Sequence, residues 1–148
     1  SAPLGTVPPP TRFAERVRRL VREDTAPLDA LARGSSDEMA ASYVGLDPGA
    51  ETIFGGFDGP ELVAIARASV RRPSVWFVSG VYVRPELRNR GWGKAVTRAV
   101  MTAAGAVGAF TALYVREDRG DARTAYEQLG FQPIARRVLL DCGAPPPP

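Results

Sequence analysis

One stretch constrains this chain more than any other: Val81-Tyr82-Val83-Arg84-Pro85-Glu86-Leu87-Arg88-Asn89-Arg90-Gly91-Trp92-Gly93-Lys94. It joins a strand to a helix through a short Arg/Gly loop. Val75-Trp76-Phe77-Val78 and Val81-Tyr82-Val83 are β-branched and aromatic, as suits a strand. Pro85 lacks a backbone N–H and ends the ladder. Gly91 and Gly93 free the loop from Cβ clashes, so that a bulky ligand can approach the backbone. From residue 93 to 105 the sequence predicts a helix. Its first unpaired N–H groups and positive dipole end face the loop, an arrangement that suits phosphate.

The rest of the chain punctuates itself around this unit. Pro3, Pro8, Pro9 and Pro10 make residues 1–14 an extended Pro-rich arm, or a strap laid on the domain. Arg16 to Arg22 reads as a charged edge strand. Glu23-Asp24-Thr25 offers a helix cap, with Pro27 in the first turn and Leu28, Leu31 and Ala32 on one face. Gly34-Ser35-Ser36 breaks that helix, and a second short one follows from Asp37 to Val44. Asp47-Pro48-Gly49 is a turn. Residues 51–57 and 61–70 read as a hairpin, with a bulge at Gly55-Gly56. Beyond the central helix come a strand at residues 112–116, a helix at 121–129 and a last strand at 134–140. The order predicts an α/β fold, a single domain over residues 15–143 built on a central mixed sheet with helices on both faces. Residues 144–148 form a Pro tail.

Composition excludes several chemistries. The chain has no His, which removes Ser-His and His-metal sites, so no metal is expected. Cys142 is the single cysteine, which excludes an intrachain disulfide and fits a reducing, cytoplasmic setting. No apolar run approaches the ~18 residues of a membrane span, and no signal-peptide core opens the sequence. The net charge of +3 comes almost wholly from Arg, Lys94 being the only lysine. The basic residues are not interleaved with aromatics, so a nucleic-acid partner is not expected.

The run Val83-Arg84-Pro85, then Arg88-Asn89-Arg90-Gly91-Trp92-Gly93, resembles the acetyl-coenzyme A loop of the GNAT N-acetyltransferase superfamily, R/Q-x-x-G-x-G/A. Ala122-Arg123-Thr124-Ala125-Tyr126-Glu127-Gln128-Leu129-Gly130-Phe131 resembles the family's N-x-x-A-x-x-x-Y-x-x-x-G-F segment. The resemblance implies a direct transfer of acetyl from acetyl-coenzyme A to a primary amine in a ternary complex. By the same resemblance, backbone amides of Asn89, Arg90, Gly91, Trp92, Gly93 and Lys94 receive the pyrophosphate. Arg88 stands at the family's Arg/Gln, and Arg90 and Lys94 add charge. Val81 and Val83 offer backbone groups to the pantetheine arm, with Gly80 as the bulge that splays the strand. Tyr126 is the implied acid, since a phenol is protonated near neutral pH and can give its proton to the departing thiolate.

The chain departs from the family at two places. Arg119 replaces the motif's Asn; as a donor only, it is suited to a phosphate rather than to the amide's contacts. Residues 75–83 hold no carboxylate base, which leaves Glu61, Glu51, Glu38 or a water chain. Tyr43 and Met39 are either walls of an acceptor pocket or core residues. A non-catalytic acyl-coenzyme A sensor or partner-binding module on the same fold is the rival reading. A homodimer through the last strands is a further expectation carried by analogy with the family.

Overall fold

The computed structural model describes residues 12–35, 41–114, 120–135 and 138–141. One seven-stranded sheet organises them, in the order β1-β2-β3-β4-β5-β7-β6. The strands are β1 (Val17–Arg19), β2 (Ile53–Asp58), β3 (Glu61–Arg71), β4 (Val75–Val83), β5 (Phe110–Tyr114), β6 (Phe131–Ala135) and β7 (Val138–Asp141). Only β4 and β5 run parallel; every other neighbour pair is antiparallel. The parallel pair needs a crossover, and the long central helix supplies it.

Among the described residues the sheet is flanked by helices α1 (Thr25–Arg33), α2 (Trp92–Ala106) and α3 (Gly120–Gln128). α1 buries Leu28, Leu31 and Ala32, the face that its 3–4 spacing sets, against Leu20, Ile53, Ile65 and Tyr82. Removing each leucine from water contributes about 1.5–3 kcal/mol. α2 buries Trp92, Val96, Val100 and Met101 in a second cluster with Val63, Ala66 and Val78. Leu129, Phe131 and part of Tyr126 extend this second cluster beyond α3. The helices therefore cover both faces of a mixed sheet, as the order of elements implies.

The C-terminal region differs from expectation. In place of one last strand there are two, β6 and β7, paired antiparallel, with β7 inserted between β5 and β6. Pro133 lies in β6, at the free edge of the sheet, where a missing N–H breaks no further ladder. The first strand is also shorter than its charged run, because residues 14–16 and 22–24 form 3-10 turns at its two ends.

Three register shifts mark the middle of the sheet, one of them between Ala68 and Val70 of β3. Between β3 and β4 the register shifts between Ile65 and Arg67, so that β4 carries one extra residue there. Gly80 sits in that bulge with φ +64°, a left-handed conformation that favours glycine. The hairpin between β2 and β3 shifts register between Gly56 and Phe57, beside the predicted glycine pair.

Candidate functional site

The site begins where β4 stops. After Val83 the chain makes one 3-10 turn, Pro85–Leu87, and then runs extended through Arg88. Asn89 adopts φ +63° and Gly91 φ +107°, and Gly91 caps α2. Asn tolerates the left-handed region better than most residues, and Gly91 is there for its backbone. A Cβ at Gly91 would meet nothing nearer than Arg12 Cβ at 3.5 Å, so conformation rather than crowding calls for glycine. The Ala95 N–H donates to the Gly91 carbonyl at 3.0 Å, which closes the first turn. The N–H groups of Trp92, Gly93 and Lys94 precede that bond and have no intrahelical acceptor. With the helix dipole behind them, they form an anion cradle at the end of β4.

The side chains around the cradle divide by role. Trp92 is buried, and its ring lies against Phe13, so it contributes only its backbone to the surface. Arg88 folds back, its Nε donating to the Val83 carbonyl at 3.0 Å and its guanidinium lying 5.5 Å from the centre of the Tyr82 ring. Asn89 and Arg90 are exposed. Lys94 Nζ donates to Gln128 Oε1 at 3.0 Å, tying the start of α2 to the end of α3.

Beside the cradle the sheet opens. β4 pairs with β5 from Val75–Phe110 to Val78–Leu113, and among the described residues no β5 partner stands opposite residues 79–83. The Arg84 N–H donates to the Val63 carbonyl of β3 at 2.9 Å. Backbone groups alternate along a strand, so those of Val83 point away from β3, toward the opening. The bond from Arg88 to the Val83 carbonyl reaches in from that side.

Tyr126 lies on α3, half-buried, with its ring edge-on to Phe131 at 6.0 Å between centroids. It belongs to the same apolar cluster as Val81, Val83 and Trp92. Structure and motif thus bring Tyr126 and the cradle to one side of the sheet. Arg119, Glu38 and Met39 lie outside the described residues.

On the opposite side of β4 lies a cavity of about 510 Å³, lined by Leu31, Ser35, Tyr82, Arg84, Glu86 and Arg88. Two of the carboxylates weighed as bases are in ion pairs. Glu61 pairs with Arg84, and Glu51 Oε2 lies 3.0 Å from Arg67 Nη2. Tyr43 is a core residue rather than a pocket wall, at 1% exposure. Its hydroxyl donates to the Gly80 carbonyl at 2.6 Å, a link 37 residues long that no sequence spacing announces. Burial pushes the phenol well above its ordinary range and so keeps it a donor.

This geometry agrees with the comparisons. The model of the acetyltransferase (GNAT) family matches residues 15–131. The chain belongs to the GNAT acetyltransferase family. A GNAT-family protein from Novosphingobium aromaticivorans is similar at 27% identity and TM-score 0.68, over 88% of this chain and 56% of that one. The chain thus spans little more than half the length of that relative. The ribosomal-protein-S18-alanine N-acetyltransferase from Escherichia coli shares the fold at TM-score 0.63 and 19% identity, over 84% and 89% of the two chains. The PaiA N-acetyltransferase from Thermoplasma acidophilum, solved in complex with coenzyme A, does so at 0.64 and 17%, over 85% and 97%. A sequence comparison with curated proteins gives no match. Among the described residues no helix is long and apolar enough to cross a membrane, and no group of His, Cys, Asp and Glu is placed to hold a metal ion.

Proposed function

We propose that the domain binds acetyl-coenzyme A along the β4–β5 opening and transfers its acetyl group to a primary amine. One observation carries the reading: a stretch of β4 that among the described residues has no β5 partner leads, through a short loop, into a helix N-terminus capped by a glycine at φ +107°. A long, thin ligand with an amide-bearing arm and a pyrophosphate matches that pair of features. Residues 89–94 receive the pyrophosphate through backbone N–H groups. Arg88, Arg90, Lys94 and Arg119 supply positive charge. Val81 and Val83 pair with the pantetheine arm.

The reaction needs a neutral amine. Its nitrogen attacks the thioester carbon, a C–N bond forms, and the carbonyl pair moves to oxygen. The Val81 N–H stabilises that oxyanion. Collapse breaks the C–S bond, and Tyr126 gives its proton to the departing sulfur. The proton shed by the nitrogen passes to water, and water restores the phenol. The acceptor enters from the α1 side, where the cavity beside Tyr82 and Arg88 lies.

Thiol release from acetyl-coenzyme A in the presence of a panel of primary amines tests this. Release is expected to depend on the amine and to fall about 10²-fold or more in Tyr126→Phe, with acetyl-coenzyme A binding kept. Release that ignores the amine, or an unchanged Tyr126→Phe, contradicts the mechanism. The sensor reading draws on a specific observation: β4 has no carboxylate, and Glu51 and Glu61 are both engaged with arginines. It expects tight binding with no amine-dependent release.

A further inference from the structure

We propose that Tyr43 is a positioning residue for acyl transfer: its phenol fixes and polarises the Gly80–Val81 peptide unit, so that the Val81 N–H is aimed at the acyl carbonyl. The inference rests on the acetyl-transfer reading above and adds a residue that lies outside both sequence motifs.

The decisive point is that Gly80 C=O and Val81 N–H belong to one amide. The Tyr43 hydroxyl donates to that carbonyl at 2.6 Å and lies 3.5 Å from the Ser79 carbonyl. The peptide is trans, so its N–H points opposite to its C=O. With the carbonyl anchored on the buried phenol, the N–H is directed away from Tyr43. Val81 stands in the part of β4 that faces the opening and lacks a β5 partner among the described residues.

The anchor is built to be rigid. Tyr43 is 1% exposed and sits in the cluster with Leu28, Leu31, Ile53 and Tyr82, so water does not compete for the bond. A hydrogen bond in such surroundings is strengthened, and polarising a carbonyl makes the N–H of the same amide a better donor. Gly80 completes the device. Its φ of +64° turns the carbonyl out of the ladder, and a Cβ there would come within 2.6 Å of the Tyr43 oxygen. Bulge, glycine and phenol therefore fit one another, and the product of the fit is the direction of one N–H.

The test compares coenzyme A with acetyl-coenzyme A by calorimetry, in the parent and in Tyr43→Phe. Free coenzyme A lacks the acyl carbonyl and so reports the cradle and the pantetheine contacts without the bond from the Val81 N–H to the acyl oxygen. In Tyr43→Phe the affinity for coenzyme A is expected to hold, while preference for the acetyl form falls about fivefold, the worth of one hydrogen bond. The carbonyl stretch of bound ¹³C-acetyl thioester is expected to lie below its free value in the parent and to move back toward it in the variant. A purely structural role lowers both affinities together and leaves their ratio unchanged; that result, or an unmoved carbonyl band, overturns the proposal. If Tyr43→Phe does not fold, 3-fluorotyrosine at position 43 keeps the ring and donates more strongly. The band is then expected to drop further, and no movement overturns the proposal. A parent that binds coenzyme A but shows an unshifted carbonyl defeats the inference alone. A parent that binds neither ligand defeats the acetyl-transfer reading as well.

Discussion

Phe13 lies flat on Trp92, with ring centroids 4.0 Å apart and planes 6° from parallel. The contact joins the N-terminal segment to the first residue of α2, and hence to the loop that ends at Gly91. Arg12 covers the other side, its guanidinium 4.9 Å from the Phe13 ring centre. Residues 12–14 thus rest on the domain where they meet α2. Phe13 holds a left-handed backbone, φ +67°, to make the stack. Such a conformation is uncommon for a bulky residue and persists where packing offsets it.

Replacing Phe13 by Ala is expected to cost about 2–3 kcal/mol in denaturant unfolding, since the ring is half-buried and its stacking partner is fully buried. Phe13→Leu keeps apolar contact and is expected to cost less. Coenzyme A binding should weaken in Phe13→Ala at temperatures where the domain is still folded. A loss below about 0.5 kcal/mol would mark the stack as incidental.

Gly56 touches the same indole from the sheet. A Cβ at this position would lie 2.8 Å from Trp92 Cε3 and 3.0 Å from Cζ3. Trp92 is buried and stacked on Phe13, so a shift of its ring disturbs the stack. Gly56→Ala is expected to destabilise by about 1–3 kcal/mol through overpacking and to shift tryptophan emission. Unchanged stability with unchanged emission would show that the ring has room to move.

Asp24 should make stability depend on acid. Both its oxygens receive Arg18, at 2.8 and 2.9 Å, and Oδ2 also accepts the Val21 N–H at 2.7 Å. The Arg18 hydrogen bonds hold the carboxyl below its ordinary value of 3.8; burial opposes them, and the Val21 N–H adds to them. A folded value below the unfolded one stabilises at pH above the unfolded value. That contribution is lost as pH falls from there through the folded value. Because Arg18 is half exposed, the expected size is modest. Asp24→Asn should be about 1–2 kcal/mol less stable at pH 7, with the gap closing below about pH 4. A gap that stays constant down to pH 3 would contradict this origin.

Much of the frame was legible because the chain marks its own boundaries. Pro85 ends β4, Gly34 follows the last residue of α1, and Leu28, Leu31 and Ala32 show the buried face by spacing alone. Gly80 could be named as the bulge because the family resemblance implies a splayed strand before the loop, and it is the one glycine there. The β6–β7 hairpin was not legible. Residues 136 and 137 are both Arg, and no Gly, Asn or Asp announces the turn. Pro133 also argued against a strand beginning as early as Phe131. The partners of Tyr43 and Phe13 were hidden for another reason. Each contact joins residues far apart in sequence, and only the packed sheet brings them together. Of the site, the backbone cradle could be read from glycine positions, whereas the engagement of Glu51 and Glu61 by Arg67 and Arg84 required coordinates.

The most direct measurement is a calorimetric titration of the protein with acetyl-coenzyme A, run beside Gly91→Val. At φ +107° a β-branched residue is strained, and the N–H groups that follow lose their alignment. Binding in the parent and a loss of tenfold or more in the variant is the expected result, with both proteins folded and freed of any coenzyme A carried through purification. No binding by the parent, or equal binding by the two, would contradict an acyl-donor site at the start of α2.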